Sequence, residues 1–156
     1  MTQHGQLDPV DYKILGILQQ NARLDIVRIA GQVHKSHSST TDRIRRLVEK
    51  GYIQRFIALL DRRLIGRPIL MIVQVKLSIH TTESLRTFSR QMQQLSEVQV
   101  CLHLSGEYDF LLQVSLRDPL EYQGFLDQKL CSLPAIEKVH SSLVLNECKM
   151  ELALPL

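Results

Sequence analysis

A chain of 156 residues with 44% hydrophobic and 22% charged side chains is long enough for one ordinary domain or two small ones, and too apolar for a disordered chain. No apolar run reaches the roughly 20 residues that cross a bilayer, and the opening MTQHGQLDPVDYK has no signal-peptide core, so a cytoplasmic protein with no membrane partner is expected. The formal charge of +3 is unevenly spread: residues 1–66 carry 11 basic against 6 acidic side chains, and the remainder 8 against 10. A basic front half on a slightly acidic back half suggests a polyanion-binding module joined to something else.

In the front half, LDPVDYKILGILQQNA predicts a first helix with Asp8 as N-cap, Pro9 at the first helical position and Asp11 three residues after the cap. Val10, Ile14, Leu15, Ile17 and Leu18 form its apolar stripe. DIVRIAGQV predicts a short second helix capped by Asp25, with Ile26, Ile29, Ala30 and Val33 facing inward. HKSH is brief enough to be a turn, after which Ser36 caps a third helix with Thr40, Ile44, Leu47 and Val48 on one face and Gly51 at its end.

Helix, tight turn and helix, braced by a first helix, is the helix-turn-helix arrangement, whose last helix enters the major groove of double-stranded DNA N-terminus first. Small hydroxyl side chains there allow close backbone approach. Removing the inward stripe leaves His37, Ser38, Thr41 and Arg45 as candidate base contacts, with Arg43 and Arg46 near phosphates. Asp42 repels phosphate, and pairing with Arg45 or Arg46 along the helix is the expected resolution. After Gly51, YIQRFIALLD reads as a strand, and Gly66 and Pro68 punctuate the end of the basic region. The expected division is therefore a DNA-binding domain at 1–52, a connecting strand and linker at 53–67, and a second domain at 68–156.

In the back half, ILMIVQVKL is a period-two strand with Ile69, Met71, Val73, Val75 and Leu77 on one face. TTESLRTFSRQMQQL reads as a helix through Leu85, Phe88, Met92 and Leu95. VQVCLHLS alternates Val98, Val100, Leu102 and Leu104 against Gln99, Cys101, His103 and Ser105, and DFLLQVSL alternates Phe110, Leu112, Val114 and Leu116. DPLEYQGFLDQKLCSL predicts a helix capped by Asp118, and IEKVHSSLVLNECK a last strand. The order βαββαβ is the ferredoxin-like unit, an antiparallel sheet covered by helices on one face. The other face is too large for a domain of this size to cover alone, so it favours association. The fold class is α+β.

Cys101, Cys131 and Cys148 are odd in number and form no CxxC pair, so free thiols are expected, with no metal site, disulfide or cofactor. In the turn SGEYD, Gly106 supplies the freedom of a tight hairpin. Asp109, at the start of an apolar strand, needs hydrogen-bond donors, which a ligand ammonium would provide.

Several stretches together resemble the Lrp/AsnC family of prokaryotic transcription regulators. LDPVDYKIL is similar to the family's LDxxDxxIL, Ser36–Leu47 to its SxxxVxxRIxRL, GYIQRFIALLD to its GxIxxYxAxLD, and SGEYDFLLQV to its TGxYDYLL. The resemblance implies a winged or plain helix-turn-helix domain and a strand that pairs across a homodimer. It also implies effector domains that assemble dimers into tetramers or octamers, and a small-molecule effector, usually an amino acid. Carried over by position, the effector-site residues are Gly106, Tyr108, Asp109 and Ser141 or Ser142. The chain departs from the pattern at His34 and Lys35, where the family shows GL of GLS, and at Thr40, where it shows valine. Both departures remove apolar contacts beneath the third helix. The expected function is an effector-responsive DNA-binding regulator without catalytic activity. The alternative is a sirohaem decarboxylase-like enzyme of the same fold, for which His103 and His140 are the candidate tetrapyrrole contacts.

Overall fold

The computed structural model describes residues 7–133 and 135–156, which form two compact units. One ends at Leu59 and takes back Lys149–Leu156, and the other is Leu60–Cys148. The change of unit thus falls earlier than the expected linker end, and the last eight residues, expected in the second domain, belong with the helices.

The helical unit holds α1 (Pro9–Gln20), α2 (Ile26–Val33) and α3 (His37–Glu49). Asp8 and Asp11 form a reciprocal capping box at the start of α1: the Asp11 amide donates to Asp8 at 2.8 Å and the Asp8 amide to Asp11 at 3.3 Å. Asp25 caps α2 and Ser36 caps α3, the latter by accepting from the Ser39 amide. Ile14, Leu18, Ile29, Val33 and Leu47 make the core, with Ile44 packed at its edge. Val48, expected on the inward face, is exposed, since the stripe drifts outward by the last turn. His34 ends α2 in the left-handed region at φ 53°, the one non-glycine residue with positive φ among those described.

No strand forms over residues 54–61, where one was expected. A strand requires a neighbour to hydrogen-bond with, and a single chain offers none here. Phe56, Ile57, Leu59 and Leu60 are left exposed.

The second unit is a four-stranded antiparallel sheet in the order β2-β3-β1-β4, built from β1 (Ile69–Leu77), β2 (Val98–His103), β3 (Phe110–Leu116) and β4 (Ile136–Leu143). The helix α4 (Thr82–Gln93) and α5 (Pro119–Gly124), which continues as π-helical turns over Phe125–Leu130, cover one face. Met71, Val73, Val75 and Leu77 of β1 and Phe110, Leu112, Val114 and Leu116 of β3 pack there against Phe88, Met92, Phe125 and Leu130. The burial of these residues follows the period-two pattern, as expected for a sheet with one covered face.

The β2 strand departs from simple alternation. Val98 pairs with Val114, but Val100 pairs with Gln113, so the register slips at Gln99. Such a bulge moves every later side chain to the opposite face. Cys101 and His103 therefore sit opposite Leu112 and Phe110 on the helix side, and Val100 and Leu102 turn to the open side. Cys101 packs against the core, where burial pushes its thiol above the ordinary value.

Candidate DNA interface and effector site

The third helix presents His37, Ser38, Thr41, Arg45 and Arg46 to solvent, as its apolar stripe requires. Its seat survives the polar Thr40. That residue is fully buried, its hydroxyl donates to the Ser36 carbonyl at 2.9 Å, and its methyl is left to pack. The expected loss of an apolar anchor is therefore softened within the helix itself.

Arg43 stands apart from the other arginines. Its Nη1 lies 2.6 Å from Asp8 Oδ2 and 2.7 Å from Asp11 Oδ1, with the guanidinium side chain only 19% exposed. The structure thus points Arg43 into the helical unit, away from the phosphate position expected for it. It ties the middle of the recognition helix to the capping box of α1, and the three charges neutralise one another in part. Asp42 pairs with Arg45 at 2.6 Å, and Arg45 also reaches Glu49 at 3.9 Å. Among the described residues Lys35, Arg46 and Lys50 form no ion pair. Arg46 and Lys50 line a polar cleft of about 180 Å³ together with Asp8, Asp11, Arg43 and Tyr52.

The Asp11 amide, followed by the Arg43 guanidinium, holds the Asp8 carboxyl below its ordinary value against the opposing effect of burial. A carboxyl depressed in the folded state stabilises the fold fully above its unfolded-state pKa, and that contribution is lost as pH falls through the folded-state value. Thermal melting of the wild type is therefore expected to steepen its fall below about pH 4. Asp8→Asn, which keeps the cap but not the charge, should lie lower at neutral pH and flatter in acid. Parallel curves would remove Asp8 from the account.

In the sheet unit, Gly106 adopts φ +147°, a region side chains rarely enter, and so makes the turn before β3. Asp109 finds its donors inside the chain: Oδ2 accepts from the Leu77 amide at 2.7 Å, and Oδ1 lies 3.0 Å from His80 Nδ1. The Asp109 amide donates to the Val75 carbonyl. This carboxylate, 13% exposed, fastens the end of β1 to the turn, and it engages the chain before any ligand arrives.

Tyr108 lies 6.4 Å from the His140 ring, with Lys138 Nζ 5.2 Å from the centre of the Tyr108 ring. Hydrogen bonds to Tyr108 and Glu107 hold the Lys138 ammonium above its ordinary pKa. Ser142 Oγ is 3.5 Å from His140 Nε2, on the open side of the sheet. Ser141 pairs with Val73 and faces the helices. The two serines therefore cannot line one site, and Ser142 is the one beside Tyr108's neighbours. Sequence reasoning missed His80 and Lys138. Lys138 was findable by counting two residues back from His140, whereas His80 lies after the strand and carries no periodic signal.

His103 stacks on Phe110 at 5.1 Å on the helix side of β2, whereas His140 lies on the open side of β4, at the other edge of the sheet. The pair needed for a tetrapyrrole does not converge. No group of three or more metal-binding side chains occurs among the described residues.

Two family descriptions match the chain: winged helix-turn-helix DNA-binding over residues 7–54 and the Lrp/AsnC ligand binding domain over residues 70–154. The leucine-responsive regulatory protein of Haemophilus influenzae is 32% identical over 92% of this chain and 86% of its own length. The proline dehydrogenase transcriptional activator of Rhizobium radiobacter is 31% identical over 92% of each. Among solved structures, a Neisseria meningitidis transcriptional regulator in complex with L-Met has a TM-score of 0.89 and 30% identity, covering 96% of this chain and 97% of that one. An AsnC family transcriptional regulator from Agrobacterium tumefaciens has a TM-score of 0.88 with the same identity and coverage. These relatives regulate transcription and are not enzymes. With its three-helix reader, its ferredoxin-like sheet unit and this likeness over nearly its full length, the chain belongs to the Lrp/AsnC family of transcription regulators.

Proposed function

We propose that the chain is a DNA-binding transcription regulator whose affinity or assembly responds to an amino acid bound by the sheet unit. The observation that carries the DNA half is the outward face of α3, where His37, Ser38, Thr41, Arg45 and Arg46 are exposed beyond a correctly capped and seated helix. Base edges are read by the first four, and Arg46 meets phosphate. Arg43 acts one step removed, by holding the helix to α1.

The Neisseria relative bound to L-Met supports an amino acid as effector. The site proposed for it surrounds the turn of Gly106, Tyr108 and Asp109, with Ser142 and His140 beside it and His80 behind Asp109. Ser141, on the covered side of the sheet, does not line the site. The exposed residues 54–61 and the open sheet face both favour a homodimer, and assembly of dimers into tetramers or octamers completes the effector site. Two recognition helices then meet half-sites about one helical turn apart. No cofactor is required for this role, and the cytoplasm, where the DNA is, is the proposed location. No helix among the described residues is long and apolar enough to cross a membrane.

The test is a thermal-shift screen of the twenty amino acids, followed by DNA retardation with and without each one that stabilises the protein. A ligand that binds the folded state alone at about 100 times its Kd stabilises by about 2.7 kcal/mol. At least one amino acid should raise the melting temperature and change DNA affinity. A chain that no amino acid stabilises would lose the effector half of the reading, and one that retards no DNA would lose the other half.

A further inference from the structure

The last eight residues, Lys149–Leu156, leave the sheet unit after Cys148 and belong compactly with the helices. Their anchor is Gln19 on α1. Its Oε1 accepts from the Leu154 amide at 2.6 Å, and its Nε2 donates to the Leu154 carbonyl at 3.1 Å. One side-chain amide thus satisfies both backbone groups of one residue, much as a neighbouring strand would. Two residues on, Leu156 lines a groove of about 610 Å³ with Tyr12, Gly16, Ile17 and Leu24. Pro155, between these two contacts, fixes the backbone direction of the segment.

The sheet unit is therefore joined covalently to the helical unit at both ends, between Leu59 and Leu60 and between Cys148 and Lys149. Within the sheet unit the stretches next to these junctions are tied together. Arg62 donates to the Pro68 carbonyl at 2.7 Å and pairs with the Glu147 carboxylate. The strand that carries His140 and Ser142 runs out through Glu147 into the segment that Gln19 holds.

We propose that Leu152–Leu156 is a strap whose receptor is the groove on α1, and that its seating carries the state of the effector domain to the DNA-binding helices. The contact is thin: Leu152, Leu154 and Leu156 all stay largely exposed, and two hydrogen bonds and the edge contact of Leu156 with the groove hold the segment. Such a contact opens and closes readily, which a permanent structural brace would not do. The coupling half of the proposal rests on the effector reading above, whereas the docking half does not.

Both halves are tested on the full-length chain with Gln19→Ala, which removes the clamp, and Leu154→Pro, which removes the amide it accepts from. Hydrogen exchange of the Leu154 amide should be slowed about tenfold or more in the wild type and should lose that protection in Gln19→Ala. An unprotected wild-type amide, or one equally protected in the variant, overturns the docking. Both substitutions lie away from the DNA-reading face, so DNA affinity without ligand should stay within about twofold of wild type. Any amino acid that stabilises the wild type should stabilise both variants equally yet change their DNA affinity by less than about twofold. Variants that respond as the wild type does overturn the coupling. A wild type that no amino acid affects removes the effector reading and the coupling with it, and leaves the docking to be decided by the Leu154 amide.

Discussion

Raising salt from 50 to 200 mM is expected to weaken binding of the proposed dimer to its specific DNA by about 10³, on the basis of about six phosphate contacts. Lys35, Arg46 and Lys50 are exposed and form no ion pair among the described residues, which gives three cations on each of two recognition elements. Each phosphate neutralised releases counterions and adds about 0.9 to the slope of log affinity against log salt. Arg46→Gln should therefore reduce that slope by about 1.8 for the dimer. Arg43→Gln should behave differently. It frees the Asp8 and Asp11 carboxylates and loosens α3 on α1, so affinity falls by about tenfold while the slope stays that of the wild type. Equilibrium titrations at four or five salt concentrations separate the two. A slope that drops with Arg43→Gln would return Arg43 to the phosphates, and salt-insensitive binding by the wild type would sink the electrostatic mechanism.

Asp109→Ala should abolish the ligand response and leave DNA binding without ligand within about threefold. The substitution deprives the Leu77 amide and His80 of their shared acceptor, and a partly buried amide left without a partner costs about 1–3 kcal/mol. The end of β1 and the turn carrying Tyr108 then lose their common fastening, so the proposed site loses its shape. Asp109→Asn keeps an oxygen for Leu77 and a donor for His80, and should retain part of the response. The readouts are thermal shift with the active amino acid and DNA retardation with and without it. A fully responsive Asp109→Ala would remove Asp109 from the site.

The helix caps were legible in the sequence because each depends on two or three neighbouring residues. Asp8 with Pro9 and Asp11, Asp25, Ser36 and Asp118 all cap where local chemistry places them. The faces of β1 and β3 were legible because strict alternation survives in this central pair, whose register runs unbroken from Ile69 opposite Leu116 to Val75 opposite Phe110. The failures share a cause, which is dependence on a distant partner. The slip at Gln99 exists only in relation to β3, so alternation placed Cys101 and His103 on the wrong face. Arg43 reads as one more cation in RIRR until the fold brings Asp8 and Asp11 beside it. Asp109 was recognised as needing donors, but not that Leu77 and His80 supply them. The strand expected after Gly51 has no neighbour within one chain to make it a strand.

That last segment also bears on how the protein is made in a cell. Phe56, Ile57, Leu59 and Leu60 form an uncovered apolar stretch outside any helix or strand, the kind of surface on which unfinished chains aggregate. In the proposed homodimer, a newly synthesised copy is in a race between finding its proper mate and adhering to a wrong one, and the winning outcome depends on how many copies are nearby. Slow expression or strong dilution during refolding works against such a protein, and co-localised synthesis from one messenger favours it.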